Sequence, residues 1–158
     1  MTDLLSRFRQ EVLESFEFLA TEFGLQPQEP RAHAPELWMS FASPTTEVSV
    51  IYEVGAVPWV EIARREMSDG RPLKIEASSL ELLLEERASS GTIQCDVSQP
   101  GEEAFRACLR LKAAALREFG SDILRGDFEV FSKLRLRSAE NERRRNLEMF
   151  GSENGQTR

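Results

Sequence analysis

Residues 36–77 decide the fold, and they read ELWMSFASPTTEVSVIYEVGAVPWVEIARREMSDGRPLKIEA. Apolar and polar residues alternate in this stretch, most regularly over 47–54, where every second residue is a valine or a tyrosine. A period of two is typical of a β-strand with one buried face. Serine, proline, glycine and aspartate interrupt the alternation, and these residues favour turns. Because the connections are short, the stretch predicts an antiparallel meander of four strands at 36–42, 47–54, 59–66 and 71–77.

The chain before the meander predicts one amphipathic helix and then an extended loop. Over residues 3–23 the apolar side chains recur at helical spacing, and most charged residues fall on the other side. Gly24 follows the last apolar residue of this stretch, and glycine is favoured at the position where a helix ends. Three prolines within residues 25–35 restrict the backbone and remove amide donors, so this stretch is expected to cross the surface as a loop.

The segment directly after the meander predicts a short helix and a short strand. Ser78 and Glu81 have the spacing of a capping box, in which each side chain satisfies the other's backbone amide. They indicate a helix near residues 79–88. Residues 92–97 alternate again and predict a fifth strand at the edge of the sheet.

Two long helices are expected at the C-terminal end, separated by a short helical turn. The first follows Pro100 and ends at Gly120, with its apolar residues on one face. The second begins at Asp127, a favoured N-cap residue. Residues 133–137, KLRLR, alternate like a strand, but the surrounding apolar spacing favours helix.

Together these elements predict an α+β fold. One domain is expected over residues 1–150, with a flexible polar tail at 151–158. An antiparallel meander sheet of four to five strands should be packed on one face by the N-terminal helix and two C-terminal helices. A chain of 158 residues that is 41% hydrophobic can bury a sizeable core without a metal or disulfide staple.

Composition narrows the classes of partner. The chain has 27 acidic and 20 basic residues, a net charge of −7, which argues against nucleic acids and anionic membranes. Arg7 and Arg9 interrupt any secretory signal, and no uncharged run is long enough to span a membrane, so a cytoplasmic location is expected. Cys95 and Cys108 have no second cysteine pair beside them, and both are expected to be reduced core thiols.

The residues that usually carry catalysis are sparse. His33 is the one histidine, and it lies in a proline-bounded loop without an obvious orienting partner. The glycines are isolated and form no phosphate-binding loop. We therefore expect no catalytic residues, no metal and no cofactor, although two carboxylates brought together by the fold would escape this test.

Aromatic residues on the predicted strands supply the first candidate site. Trp38, Tyr52 and Trp59 lie on successive strands, where the core is their plainest location. The alternation that turns Tyr52 inward turns Ile51 outward. There Ile51 would join Trp59 or Met39 in an apolar patch on the open face of the sheet, which would be a binding surface.

Charge asymmetry supplies the second candidate site. Residues 1–30 carry two arginines against six acidic residues, whereas residues 133–145 carry six basic residues against two acidic ones. The plainest interpretation is that the terminal helices pack near each other and that their charges pair across solvent. The alternative is that Arg143, Arg144 and Arg145 form a patch for an acidic partner or for RNA, although no Phe or Tyr interleaves with them as single-strand binding needs.

Two segments resemble a known class of proteins. SFEFLATEFGL at residues 15–25, followed by compact antiparallel strands, and ILRGDFEVF at 123–131 resemble small bacterial proteins of unknown function. Their general plan is similar to that of immunity-type proteins of bacterial toxin systems. The resemblance implies a non-catalytic protein that binds another protein, and it transfers no contact residue to this chain.

The function expected from the sequence is protein binding by occlusion, with a basic protein as partner. The first alternative is an adaptor or chaperone-like protein that docks a client through its basic C-terminal helix. The second is an enzyme that works with carboxylates alone, for which a deep pocket with two converging acids would be needed.

Overall fold

The structure is a computed structural model and describes residues 2–88, 93–95 and 100–151. Its helices are α1 (Thr2–Ser15), α2 (Glu17–Thr21), α3 (Leu80–Arg87), α4 (Glu103–Phe119), α5 (Ser121–Leu124) and α6 (Phe131–Phe150). Its strands are β1 (Gln26–Pro27), β2 (Arg31–His33), β3 (Glu36–Ala42), β4 (Thr46–Glu53), β5 (Trp59–Ser68) and β6 (Arg71–Ser79). The predicted α+β fold is confirmed. No described helix is both long and apolar enough to cross a membrane.

The sheet is antiparallel, with strand order β1-β3-β4-β5-β6 and with β2 also paired to β3. The four-stranded meander β3 to β6 is confirmed close to its predicted boundaries. The preceding stretch is less irregular than expected, because β1 and β2 both pair with β3. Pro27 is tolerated there since β1 is an edge strand, where a missing amide donor costs little.

One face of the sheet carries the hydrophobic core. The inward residues of β3, β4 and β5 are buried against helices, and Tyr52 lies at the centre of this layer. The Tyr52 ring meets Phe105 of α4 edge-on at 4.8 Å and stacks with Phe8 of α1 at 6.3 Å. The core therefore joins α1, the sheet and α4 through aromatic contacts.

The predicted N-terminal helix is interrupted at Phe16, which divides it into α1 and α2. Phe16 and Leu19 are both fully buried, and the amide of Leu19 donates to the carbonyl of Phe16 in a tight turn. The C-cap prediction is confirmed, since Gly24 has φ +71° and the amide of Leu25 donates to the carbonyl of Leu19.

Two helix starts differ from the predictions. Ser79 caps α3, and its hydroxyl accepts from the amide of Leu82, whereas Ser78 is still paired with Ile62 in the sheet. Ser79 is itself paired with Glu61, so the cap is the last residue of β6, and a sequence rule for caps cannot tell which of two adjacent serines ends the strand. α6 begins at Phe131, and Asp127 instead accepts from the amide of Glu129 in a local turn. Residues 133–137 are helical as expected.

The expectation of two reduced thiols is wrong, because Cys95 and Cys108 form a disulfide with their Cα atoms 5.5 Å apart. Cys108 is buried on the apolar face of α4, as predicted. Periodicity places a residue on a face, but it contains no information about the distance between two segments. Of the predicted fifth strand, residues 93–95 adopt neither strand nor helix, and its other positions lie outside the described residues. The predicted tail beyond residue 151 lies outside them too.

Ion pairs connect the helices differently from the expected pairing of the two terminal helices. Glu11 of α1 accepts two hydrogen bonds from Arg106 of α4, at 2.8 and 2.7 Å. Arg137 of α6 instead pairs with Glu86 of α3 at 2.8 Å. The acidic first helix and the basic last helix thus each pair with a different neighbour.

Acid should weaken the fold through Glu11 and through Asp122, which accepts two hydrogen bonds of 2.6 Å from Arg87 of α3. The hydrogen bonds from Arg106 lower the pKa of Glu11, and those from Arg87 lower the pKa of Asp122. A lowered folded-state pKa stabilises the protein fully above the unfolded carboxyl pKa of about 4, and this stabilisation is lost as the pH falls through the folded value. We expect Glu11→Gln to show a smaller decrease in unfolding free energy from neutral pH to about pH 3 than wild type.

Urea unfolding at a series of pH values measures this difference. Glu103→Gln is the matched control, because Glu103 lies on α4 beside the same arginine but its side chain is 85% exposed. A pH profile of Glu11→Gln that parallels the wild-type profile would contradict the assignment.

Candidate contact surface

The outer face of the sheet carries a row of large apolar side chains. In the strand register Trp38 lies opposite Ile51, and Ile51 lies opposite Trp59. Directly opposed residues of antiparallel strands project from the same face. Trp38, Ile51 and Trp59 therefore stand side by side across β3, β4 and β5, and we call them the tryptophan row.

The tryptophan row lies outside the core cluster, although its members differ in exposure. Trp59 is 53% exposed, so the core location expected for it is wrong. Ile51 is only 8% exposed because an indole flanks it on each side. None of the three belongs to the buried cluster that holds the helices on the inner face. Met39 does belong to it, opposite Val50, so the suggested pairing of Met39 with Ile51 is wrong.

Carboxylates flank the tryptophan row. Glu36 lies opposite Glu53 on one side, and the indole Nε1 of Trp38 donates to Glu36 at 2.8 Å, which fixes the orientation of the ring. Glu53 is exposed and forms no ion pair within the described part of the chain. On the other side Ser40 and Ser49 share a buried hydrogen bond of 2.8 Å, and Glu61 follows them on β5.

A groove of about 670 Å³ continues from the tryptophan row toward α6. Trp59 and Glu61 line it on the sheet side, and Arg135, Glu142 and Arg145 line it on the helix side. Glu61 already forms an ion pair with Lys74, with 2.8 Å between the carboxylate oxygen and the ammonium nitrogen. Arg145 and Glu142 have no ion-pair partner among residues 2–88, 93–95 and 100–151. The groove joins one predicted aromatic residue to one predicted arginine.

The three consecutive arginines do not share one surface. Successive residues of a helix point about 100° apart. Arg145 lines the groove, Arg144 donates to Asn141 at 2.8 Å beside α3, and Arg143 lies on the opposite flank near Leu147 and Phe150. Of these three arginines, only Arg145 lines the groove that begins at Trp59.

Two carboxylates do converge on the outer face, where Glu47 and Glu61 both contact Lys74 at 3.4 and 2.8 Å. Burial opposes the charge on Lys74, but the hydrogen bond to Glu61 and the charges of both carboxylates outweigh it and raise the pKa of Lys74. The Lys74 ammonium compensates the negative charges of Glu47 and Glu61, and all three groups lie on an open face of the sheet. His33 is exposed in β2, and the described residues hold no cluster of three metal-ligating side chains.

Sequence reasoning missed the groove and the neighbour of Trp38 on β2. Arg31 lies opposite Trp38 and extends the tryptophan row by one residue. The residue lies in the stretch expected to be a loop, so no alternation pointed to it. The groove depends on where α6 lies relative to the sheet, which no local pattern specifies.

Comparisons of this chain with protein-family models, with curated proteins and with solved structures return no match.

Proposed function

We propose that the chain is a non-catalytic protein-binding module whose contact surface is centred on the tryptophan row. The observation that carries this proposal is the exposure of Trp59 beside Trp38 and Ile51 on a sheet face outside the core. Tryptophan is among the residues that contribute most to protein interfaces, because a large rigid ring buries much apolar area at little entropic cost. Exposed apolar patches with a polar rim are typical of such surfaces.

The partner in this proposal is a basic protein. Glu36 and Glu53 flank the tryptophan row, Glu53 has no ion-pair partner among the described residues, and the chain as a whole carries a net charge of −7. Acidic proteins are steered rapidly onto basic partners, and the effect weakens as salt screens the charges. Binding would act by occlusion, as in the immunity-type proteins that the sequence resembles.

The alternative of an adaptor that docks its client through α6 is favoured by one observation. Almost every residue of α6 after Asn141 is exposed, so the basic half of this helix is available for contact. Arg144→Glu changes that half, and Arg144 does not line the groove beside Trp59. It therefore separates the two functions in a binding experiment.

The cytoplasmic location expected from the sequence stays a prediction, and one observation argues against it. The Cys95–Cys108 disulfide argues for an oxidising compartment, because structural disulfides are rare where thiols are kept reduced. Binding experiments should therefore be run without reductant.

Trp59→Ala should weaken the binding of a captured partner by about thirtyfold or more, which corresponds to about 2 kcal/mol for a hot-spot truncation. Tagged protein is used to capture partners from the native lysate at low salt, and the dissociation constant of each captured protein is then measured with purified variants. Leu111→Ala is the matched control, because Leu111 on α4 is also 53% exposed but lies far from the sheet's outer face in the fold.

A partner that loses affinity with Trp59→Ala and not with Leu111→Ala, and that is released by salt, supports the proposal. Equal affinity of Trp59→Ala and wild type would overturn it. A partner lost only with Arg144→Glu would favour the adaptor.

A further inference from the structure

The outward side of α6 carries an apolar stripe that the fold leaves uncovered. Leu136, Leu147 and Phe150 are each roughly two-thirds exposed, and Ala139 and Arg143 between them are exposed too. At 100° per residue all five positions fall within one narrow band of the helix. We call these five residues the α6 stripe.

The α6 stripe points away from the rest of the protein. Leu134, Arg137 and Asn141 lie on the other side of α6 and contact the body, since Leu134 is buried and the other two bond Glu86 and Glu85 of α3. Of the five stripe residues, Ala139 also lines the groove beside Trp59, whereas Leu136, Leu147 and Phe150 do not. The partner of these exposed apolar residues is therefore a separate question from the proposed function.

The spacing of the α6 stripe is symmetric about Arg143. Leu136 and Phe150 lie seven residues before and after it, and Ala139 and Leu147 lie four residues before and after it. A symmetric stripe maps onto itself when a second copy of the helix is laid against it in the opposite direction. Leu136 then meets Phe150 of the second copy, and the small Ala139 meets the larger Leu147, so bulk is matched with space.

Charges on the flank of the α6 stripe are complementary in the same arrangement. Glu140 lies on one edge of the stripe, and in an antiparallel pair it comes close to Arg143 and Arg144 of the second copy. Because of the two-fold axis, this contact is made twice, once by the Glu140 of each copy. The two Arg143 side chains meet at the axis, where the two Glu140 carboxylates offset their like charges.

We propose that α6 pairs with α6 of a second copy of this chain, antiparallel and with the two-fold axis at Arg143. The pairing covers the α6 stripe and leaves the tryptophan row of each copy open. The occupant is a second copy because both the apolar spacing and the charges are self-complementary.

Sedimentation equilibrium of the full chain tests this proposal. We expect a concentration-dependent dimer, and we expect Leu147→Glu to weaken dimerisation by about tenfold or more. Met149→Glu is the matched control, since Met149 is as exposed as Leu147 but lies off the stripe on the same helix. A chain that stays monomeric up to high micromolar concentration, or equal effects of the two variants, would overturn the proposal.

Charge reversal tests the register. Glu140→Arg and Arg144→Glu should each weaken the dimer, and the double variant should restore it to near the wild-type dissociation constant. Arg143→Cys at the axis should form an intermolecular disulfide. Phe150→Cys should not, because the two residues 150 lie about 21 Å apart along the helix pair. Efficient linkage through Phe150→Cys, or no rescue by the double reversal, would exclude this geometry.

Discussion

Phe105→Ala is expected to lower the free energy of unfolding by about 4 kcal/mol. Phe105 is fully buried on α4, and its ring meets Tyr52 at 4.8 Å. Tyr52 in turn stacks with Phe8 of α1, so the ring of Phe105 supports the contact between three layers of the fold. Truncation removes the buried ring and leaves a cavity that rigid neighbours on both sides cannot fill.

Urea unfolding at neutral pH measures the loss, provided that the slope with denaturant is unchanged. Leu111→Ala is the control, because Leu111 is on the same helix and is more than half exposed, and it should cost less than about 0.5 kcal/mol. A cost below about 1.5 kcal/mol for Phe105→Ala would mean that the site relaxes and that the aromatic contacts do not hold the layers together.

Local patterns predicted the elements on which this result depends. The helical spacing of Phe105, Cys108 and Leu116 identified the buried face of α4, and the alternation of Val48, Val50 and Tyr52 identified the inner face of the sheet. Such patterns succeed because one buried face imposes a period of 3.6 in a helix and of 2 in a strand.

The same patterns fail where two adjacent residues fit one role equally well. They also fail where a bond depends on the distance between two separate segments of the chain. Ser78 and Ser79 both fit a helix cap, and only the pairing of Ser79 with Glu61 shows that the strand continues to Ser79. The Cys95–Cys108 disulfide likewise depends on the distance between residue 95 and α4, which no local pattern specifies.

The candidate surface was predictable in part. Alternation in β4 already turned Ile51 outward, and the same alternation in β3 and β5 turns Trp38 and Trp59 outward with it. The general tendency of tryptophan to be buried argued for the core, and for Trp59 it was the weaker signal. The groove toward Arg145 could not be predicted from the sequence, because it arises from the packing of α6 on α3 and the sheet edge.

Glu81→Ala is expected to cost about 3 kcal/mol of unfolding free energy, although Glu81 is a surface carboxylate on α3. Its partner is the reason. Lys112 of α4 is only 2% exposed and its ammonium contacts Glu81 at 2.5 Å. Removing the carboxylate leaves a positive charge within the protein without its counter-charge, and the desolvation of that charge is then uncompensated.

Lys112→Met should be much milder, within about 1 kcal/mol of wild type, because methionine fills a similar volume and removes the charge that needs a partner. The double variant Glu81→Ala/Lys112→Met should therefore be more stable than Glu81→Ala alone. Thermal and urea unfolding of the four proteins measure the coupling.

An exposed ion pair shows what the burial of Lys112 contributes. Glu22 pairs with Arg117, and both side chains are at least 40% exposed. Glu22→Ala should cost less than about 1 kcal/mol, because water solvates the remaining guanidinium. If Glu81→Ala cost no more than Glu22→Ala, Lys112 would have to reach water by itself. The α3–α4 contact would then owe its stability to Leu80, Leu83 and Leu116 rather than to the charge pair, since these leucines are fully buried.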